Sequence, residues 1–280
     1  NFGIIVDVPA RGLHLAFGLL LCFLTFPLSR GQVDSPIPLY DILLGLTGLF
    51  CASYLYFANE GLSERLGSLL IINFLGLDFP FEAILGGIGI LLLLEATRRA
   101  IGLPLVVVAS IFLIYSIFGQ LMPDLISHKG LSLNRLIGYQ WLGGEAIFGI
   151  PIDVSVSFVF LFVLFGALLD KAGAGKYFLD LSFALVGRYR GGPAKAAILA
   201  SGMTGAISGS SIGNVVTTGT FTIPVMKKMG MTATKAGAIE VAASTNGQIM
   251  PPIMGAAAFI IAELLGMSYL EVIKAAFIPA

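Results

Sequence analysis

The chain has 280 residues, 57% of them hydrophobic and only 11% charged. A soluble domain carries about 25% charged residues, so a free-standing soluble enzyme or binding module is excluded and an all-α polytopic membrane protein is expected. Sixteen basic residues offset sixteen acidic ones, and no basic tract marks a nucleic-acid partner.

A helix needs ~20 apolar residues to cross the hydrocarbon core. Residues 13–29 are the first candidate span, with Arg11 before and Arg30 after. No basic n-region followed by a small-residue cleavage site precedes them, so a cleavable signal peptide is not expected. The abrupt beginning at Asn1 and end at Ala280 suggest a fragment. Residues 34–38 form a proline-containing loop, residues 42–57 a second span, and residues 59–65 a polar connection. Residues 66–77 are apolar but short, and read as a tilted span or an interfacial helix. Crossing is preferred, because it puts Arg11 on the cytoplasmic side. Cys22 and Cys51 lie inside apolar runs and read as small core residues. Residues 81–96 and 103–122 are further spans. Residues 123–149, with His128 and Arg135, read as an interfacial connection in which Tyr139 and Trp141 are anchors. Residues 152–169 span again.

Basic residues set the orientation. Arg98 and Arg99 form one cluster, Lys171, Lys176, Arg188, Arg190 and Lys195 a second, and Lys227 and Lys228 a third. All three fit the inside. Residues 103–122 then run outward and residues 152–169 return. Between Lys195 and Lys227 an even number of passes is required, with too few residues for two full spans. A re-entrant hairpin over 192–228 is therefore expected, with two short helices meeting near mid-depth at 208–214. Residues 231–265 then leave as a helix broken at 246–252, and Tyr269 begins another segment.

Irregular backbone is tolerated in a membrane only where protein buries it or a wet cavity solvates it, and paired breaks point to a solute or ion site. At 208–214, freed carbonyls, the hydroxyls of Ser210 and Ser211 and the amide oxygen of Asn214 suit a hard cation such as Na⁺. The outgoing N–H groups with Thr217 or Thr218 suit an anionic solute such as a carboxylate. Helix packing is the alternative, since Gly205, Gly209 and Gly213 have small-xxx-small spacing. In the second break, Asn246-Gly247 favours a turn and Pro251-Pro252 cannot continue a helix. Thr245, Asn246 and Gln248 carry acceptor oxygens there. Thr245, Gln248 and Pro251 are assigned to the solute side.

Glu240 lies about two turns before the second break. An ionisable group inside a membrane is a functional candidate; it would relay a proton, balance a bound cation or pair with Lys235. Asp153, Asp170, Asp180 and Glu263 lie near span ends and read as interfacial. His14 and His128 are isolated, so no metal site is expected. No phosphate-cradling loop, nucleophile elbow or zinc-protease motif occurs, so no catalytic residue is assigned.

These residues carry a family resemblance. The run Gly-Ser-Ser-Ile-Gly-Asn-Val-Val-Thr-Thr-Gly-Thr-Phe-Thr-Ile-Pro-Val-Met at 209–226 and the run Ala-Ala-Ser-Thr-Asn-Gly-Gln-Ile-Met-Pro-Pro-Ile-Met-Gly at 242–255 resemble the membrane component of tripartite ATP-independent periplasmic (TRAP) transporters. Glu95 to Arg99 and Phe162 to Gly166 resemble the fused form, in which small and large subunits are one polypeptide, commonly served by a binding protein of the TAXI subgroup. The resemblance covers the chain from about residue 81 onward.

It implies an ion-transporter-superfamily elevator fold in the bacterial inner membrane, built from two inverted repeats. Each repeat has a re-entrant helical hairpin and a broken helix. It implies a periplasmic solute-binding protein as partner, carboxylated organic anions as solutes, and coupling usually to Na⁺, with H⁺ left open by Glu240. The family's first cation site maps onto Ser210, Ser211 and Asn214 and onto Asn246 and Gly247. Residues 1–122 would be a small-subunit-like scaffold with a connecting span, 123–150 the interfacial connection, and 151–280 the first half of the large subunit, with 176–189 as an amphipathic arm. The second half of the large subunit would be a missing partner, and surrounding lipid the remaining one. Two other readings stand beside this one: a binding-protein-independent dicarboxylate/sodium symporter of the same superfamily, and a membrane anchor subunit of an enzyme complex. An anchor would not bring the two breaks together.

Overall fold

A computed structural model describes residues 8–28, 37–64, 69–74 and 77–280. It divides into two compact units, residues 1–153 and 154–280. Among the described residues, both are helical apart from one short strand pair in the first.

In the first unit, α1 (Val8–Thr25) and α2 (Leu39–Glu64) pair antiparallel. Gly12 lets the backbones approach: a Cβ there would lie 2.9 Å from the Ala52 carbonyl oxygen, and one at Gly48 would lie 3.2 Å from Leu19 Cβ. The third helix, α3 (Phe81–Ala100), is pinned at both ends. At one end the Tyr54 hydroxyl donates to Glu82 Oε1 at 2.8 Å. At the other, Arg99 Nη1 donates to Asp41 Oδ1 at 2.6 Å and Arg99 Nε to Glu95 Oε1 at 2.7 Å, with the guanidinium over the Phe23 ring. Asp41 is fully buried, a position a charge holds only when paired. Ala16, Leu19, Phe23, Cys51, Leu55 and Leu92 fill the core between these helices, so Cys51 is the small core residue its sequence context implied.

Strands β1 (Ile72–Phe74) and β2 (Leu77–Phe79) form an antiparallel hairpin with Ile72 opposite Phe79. The expected crossing at 66–77 is therefore corrected. Residues 65–68 and 75–76 lie outside the described residues, but 69–74 is not helical. Asn73, Gly76 and Asp78 punctuate an apolar run too short for a span. The cytoplasmic assignment of Arg11 falls with it. Arg11 lies at the end of α1 where α3 begins, opposite the end carrying Arg98 and Arg99. There its Nε donates to Asp153 Oδ1 at 3.0 Å and its Nη1 to the Phe148 carbonyl at 2.9 Å. With Arg98 inside, Tyr139→Cys should react with a membrane-impermeant maleimide from outside and Arg98→Cys from inside. Labelling of both from one side would refute this topology.

Helix α4 (Leu103–Phe118) continues through a 3-10 turn, Gly119–Leu121. The connection after it contains α5 (Leu133–Ile137) and a π-turn, Gly138–Leu142. Trp141 is not the expected interface anchor. It is fully buried, its Nε1 donates to the Cys51 carbonyl at 3.2 Å, and its ring packs edge-on to Phe148. Gly86 and Gly89 of α3 form the slot, for a Cβ at Gly89 would occupy the indole. Tyr139 stays exposed.

Among the described residues, four helices are long and apolar enough to cross a membrane: Val8–Thr25, Leu39–Ala58, Leu103–Leu121 and Ile150–Lys171. Helix α3 is 20 residues long but carries Glu82, Glu95, Arg98 and Arg99. The span Ile150–Lys171 consists of α6 (Ile150–Val154), a π-turn and α7 (Phe160–Lys171).

In the second unit α8 (Ala174–Val186) is followed by a helical hairpin, α9 (Gly192–Ser208) and α10 (Ser211–Lys228). A broken helix, α11 (Ala233–Asn246) and α12 (Ala256–Leu265), and then α13 (Tyr269–Ala276) complete it. The hairpin arms have 17 and 18 residues, about 25 Å each at 1.5 Å per residue, longer than the short helices expected. Helix α12 is held by aromatic stacking: Phe259 lies 5.6 Å from Phe158, 5.5 Å from Phe162 and 4.3 Å from Tyr269, centroid to centroid.

Candidate functional site

The hairpin turns at Gly209 and Ser210 alone, so Ser211 and Asn214 belong to the first turn of α10 rather than to an unwound loop. Gly209 is left-handed (φ 59°) and its N–H caps α9 on the Gly205 carbonyl. Ser210 is the N-cap of α10, its hydroxyl accepting from the Gly213 N–H at 3.1 Å. The second break runs from Gly247 to Gly255, somewhat beyond the expected 246–252. Met254 within it is also left-handed (φ 58°). A non-glycine residue there costs about 1–2 kcal/mol, and such strain clusters at functional sites.

The two breaks meet. Gln248 Nε2 donates to Ser211 Oγ at 3.0 Å and the Ile253 N–H to the Ala206 carbonyl at 3.3 Å. Gly209 abuts the Met254 carbonyl so closely that a Cβ would overlap it. Gly205 and Gly247 are in similar backbone contact, each also beside Asn214 Nδ2. Glycine is required at such approaches because a side chain has no room. Asn214 is fully buried between the breaks. Its Nδ2 donates to the Ser201 carbonyl at 2.8 Å, while its Oδ1 has no hydrogen-bond partner. A buried acceptor left unpaired costs about 1–3 kcal/mol, so this oxygen is a ready ligand for a donor or a cation.

Behind Asn214 lies Glu240, also fully buried. It is not paired with Lys235, which is exposed. Four hydroxyls surround it. Thr218 and Thr222 of α10 donate to Oε1 and Oε2. Ser244 of α11 approaches Oε1 at 3.3 Å and Ser201 of α9 at 3.5 Å. Gly219 leaves space for the side chain, since a Cβ there would sit 3.1 Å from Glu240 Cγ.

The other assigned residues are spread more widely. Asn246 sits at the end of α11, and its side-chain amide donates to the Ala280 carbonyl. Thr245, Asn246 and Gln248 line a cavity with Ile198 and Ile239. Thr217 lines a different cavity of about 230 Å³, between the hairpin and helices α7 and α8, with Asp170 and Thr204. Thr218 lies one turn behind Asn214, buried, with its hydroxyl on Glu240. Pro251 joins Pro252 inside the break and lines neither of these cavities. The five residues assigned to the solute thus do not share one cavity in this half-site. Sequence reasoning missed Ser201, Thr222 and Ser244. The i, i+4 spacings 218/222 and 240/244 were the available signal.

Comparison with known proteins places this geometry in context. Residues 88–280 match the family model described as tripartite ATP-independent periplasmic transporter, DctM component. The uncharacterized protein YgiK of Salmonella typhimurium is 29% identical over 174 residues, 62% of this chain and 35% of that protein. The C4-dicarboxylate TRAP transporter large permease protein DctM of Pseudomonas aeruginosa is 36% identical over 91 residues, 32% of this chain and 21% of that one. Its counterpart in Vibrio cholerae is 35% identical over 91 residues, covering 32% and 20%. The chain thus spans about a third or less of the length of these relatives. No solved structure matches it significantly.

Proposed function

Because this chain belongs to the DctM family of tripartite ATP-independent periplasmic transporter components, inner-membrane transport proteins rather than enzymes, we propose that the whole protein imports a carboxylated organic anion. A periplasmic binding protein delivers the solute, and inward movement of Na⁺ drives it. The reading rests on one observation, the convergence of the hairpin tip and the helix break around the unpartnered Asn214 Oδ1. In this reading Ser210, Ser211, Asn214, Asn246 and Gly247 supply the cation's oxygens, and Glu240 balances its charge. Thr217, Thr218, Thr245, Gln248 and Pro251 are assigned to the solute side, to be joined by the second half of the large subunit. The relatives named for C4-dicarboxylates favour a dicarboxylate as the first solute to try. The fold would work as an elevator, with residues 1–122 as a small-subunit-like scaffold and a TAXI-type binding protein as donor. H⁺ is the alternative coupling ion, favoured by the burial of Glu240.

The complete transporter in proteoliposomes, given labelled dicarboxylate and Na⁺ and pH gradients separately, tests this. Uptake should require both the binding protein and an inward Na⁺ gradient. Na⁺-driven uptake without the binding protein would favour the symporter instead. No uptake under either gradient, with folding intact, would remove the transport reading for this solute class.

A further inference from the structure

The Glu240 cage carries more than a counter-charge. No cationic side chain lies within ion-pair distance of Glu240 among the described residues. The charged groups on the helices packed around it are Lys195 of α9, Lys227 and Lys228 of α10 and Lys235 of α11, and all four are exposed. An isolated charge at membrane depth is costly, and only hydroxyls are present to stabilise this one.

Each hydroxyl has a second acceptor within reach. Thr218 Oγ1 lies 2.8 Å from the Asn214 carbonyl and Thr222 Oγ1 3.0 Å from the Thr218 carbonyl. Ser244 Oγ lies 3.0 Å from Ser201 Oγ, and Ser201 Oγ 3.3 Å from Thr218 Oγ1. A hydroxyl is one donor on a rotor with two acceptor lone pairs. With Glu240 ionised, the O–H groups turn to the carboxylate. With Glu240 protonated, they turn to their other acceptors and the carboxyl O–H donates to a hydroxyl oxygen. Both charge states are satisfied without moving a helix.

The same hydroxyls reach the proposed cation site. Ser201 meets Glu240 through its hydroxyl and holds the Asn214 amide through its carbonyl. Thr218 touches both Glu240 and the Asn214 carbonyl.

We propose that Glu240 is a proton-binding site that competes with the cation at Asn214, and that Ser201 and Thr218 are positioning residues linking the two. This rests on the cation site proposed above. One proton leaves the carboxyl as one cation arrives, so the buried cluster carries the same net charge in both states. By reciprocity, the bound proton lowers the cation's affinity by the same factor as the bound cation lowers the proton's.

The test uses the full-length protein in proteoliposomes, with Na⁺ as the probe. The Na⁺ concentration for half-maximal uptake should rise at least about tenfold between neutral and acid pH. In Glu240→Gln it should be weaker at neutral pH and flat with pH. Infrared difference spectra on adding Na⁺ should show loss of a protonated-carboxyl C=O band, absent in Glu240→Gln. If Glu240→Gln does not fold, Thr222→Val, which removes one hydroxyl from Oε2, should shift that band. Ser201→Ala should weaken Na⁺ while keeping its pH dependence. Na⁺-dependent uptake that is pH-independent in the wild type, with no carboxyl band, would overturn the competition and leave the cation site standing. Uptake driven by pH alone, indifferent to Na⁺ and abolished by Glu240→Gln, would overturn the competition and the Na⁺ reading together.

Discussion

Asn214→Ala should raise the Na⁺ needed for half-maximal uptake by about 10- to 100-fold, while the purified protein stays folded. The side chain is fully buried and contributes one bond to Ser201 and one open oxygen. A hydrogen bond or ligand contact to a charged partner is worth about 1.5–3 kcal/mol, and every 1.4 kcal/mol is tenfold in affinity. Alanine removes the oxygen that a cation would use and frees the Ser201 carbonyl. Na⁺ titration of uptake, alongside a thermal melt, separates the two consequences. An unchanged Na⁺ requirement with normal stability would remove Asn214 from the cation site.

Gly209→Val should destabilise the protein by about 2–5 kcal/mol and abolish uptake. Forcing a β-branched residue into the left-handed region costs about 1–2 kcal/mol, and overpacking a close contact adds about 1–3 kcal/mol. Here the contact is the Met254 carbonyl, which a Cβ at Gly209 would strike. The hairpin tip would be driven off the broken helix, separating the two walls of the site. Gly173→Ala is the control. Gly173 is left-handed too (φ 92°), but a Cβ there meets nothing within 4 Å, so its loss should be near the conformational cost alone. Denaturant melts of both variants check this; equal destabilisation would mean that tip and break do not bear on one another.

Where the chain breaks was legible, because Gly209, Ser210, Asn246, Gly247 and Pro251 are residues whose backbone chemistry ends helices whatever surrounds them. How the helices pack was not. Ser201, Thr218, Thr222, Ser244 and Glu240 lie on three helices, and periodicity along one helix does not give its register against another. Trp141 was misplaced for a related reason. An indole beside polar residues resembles an interface anchor until the slot made by Gly86 and Gly89 on a distant helix is known. At 66–77 apolar content was taken for length, although Asn73, Gly76 and Asp78 already interrupted it.

The ring stack at Phe259 has a mechanical consequence. It ties α12 to Phe158 and Phe162, on the span that leads through α7, while Glu240 ties α11 to the hairpin. The two halves of the broken helix are therefore fastened to different neighbours. If the hairpin slides along that span, residues 247–255 are the joint that must bend. The same peptide that walls the proposed cation site would then flex, which would tie occupancy of that site to the motion.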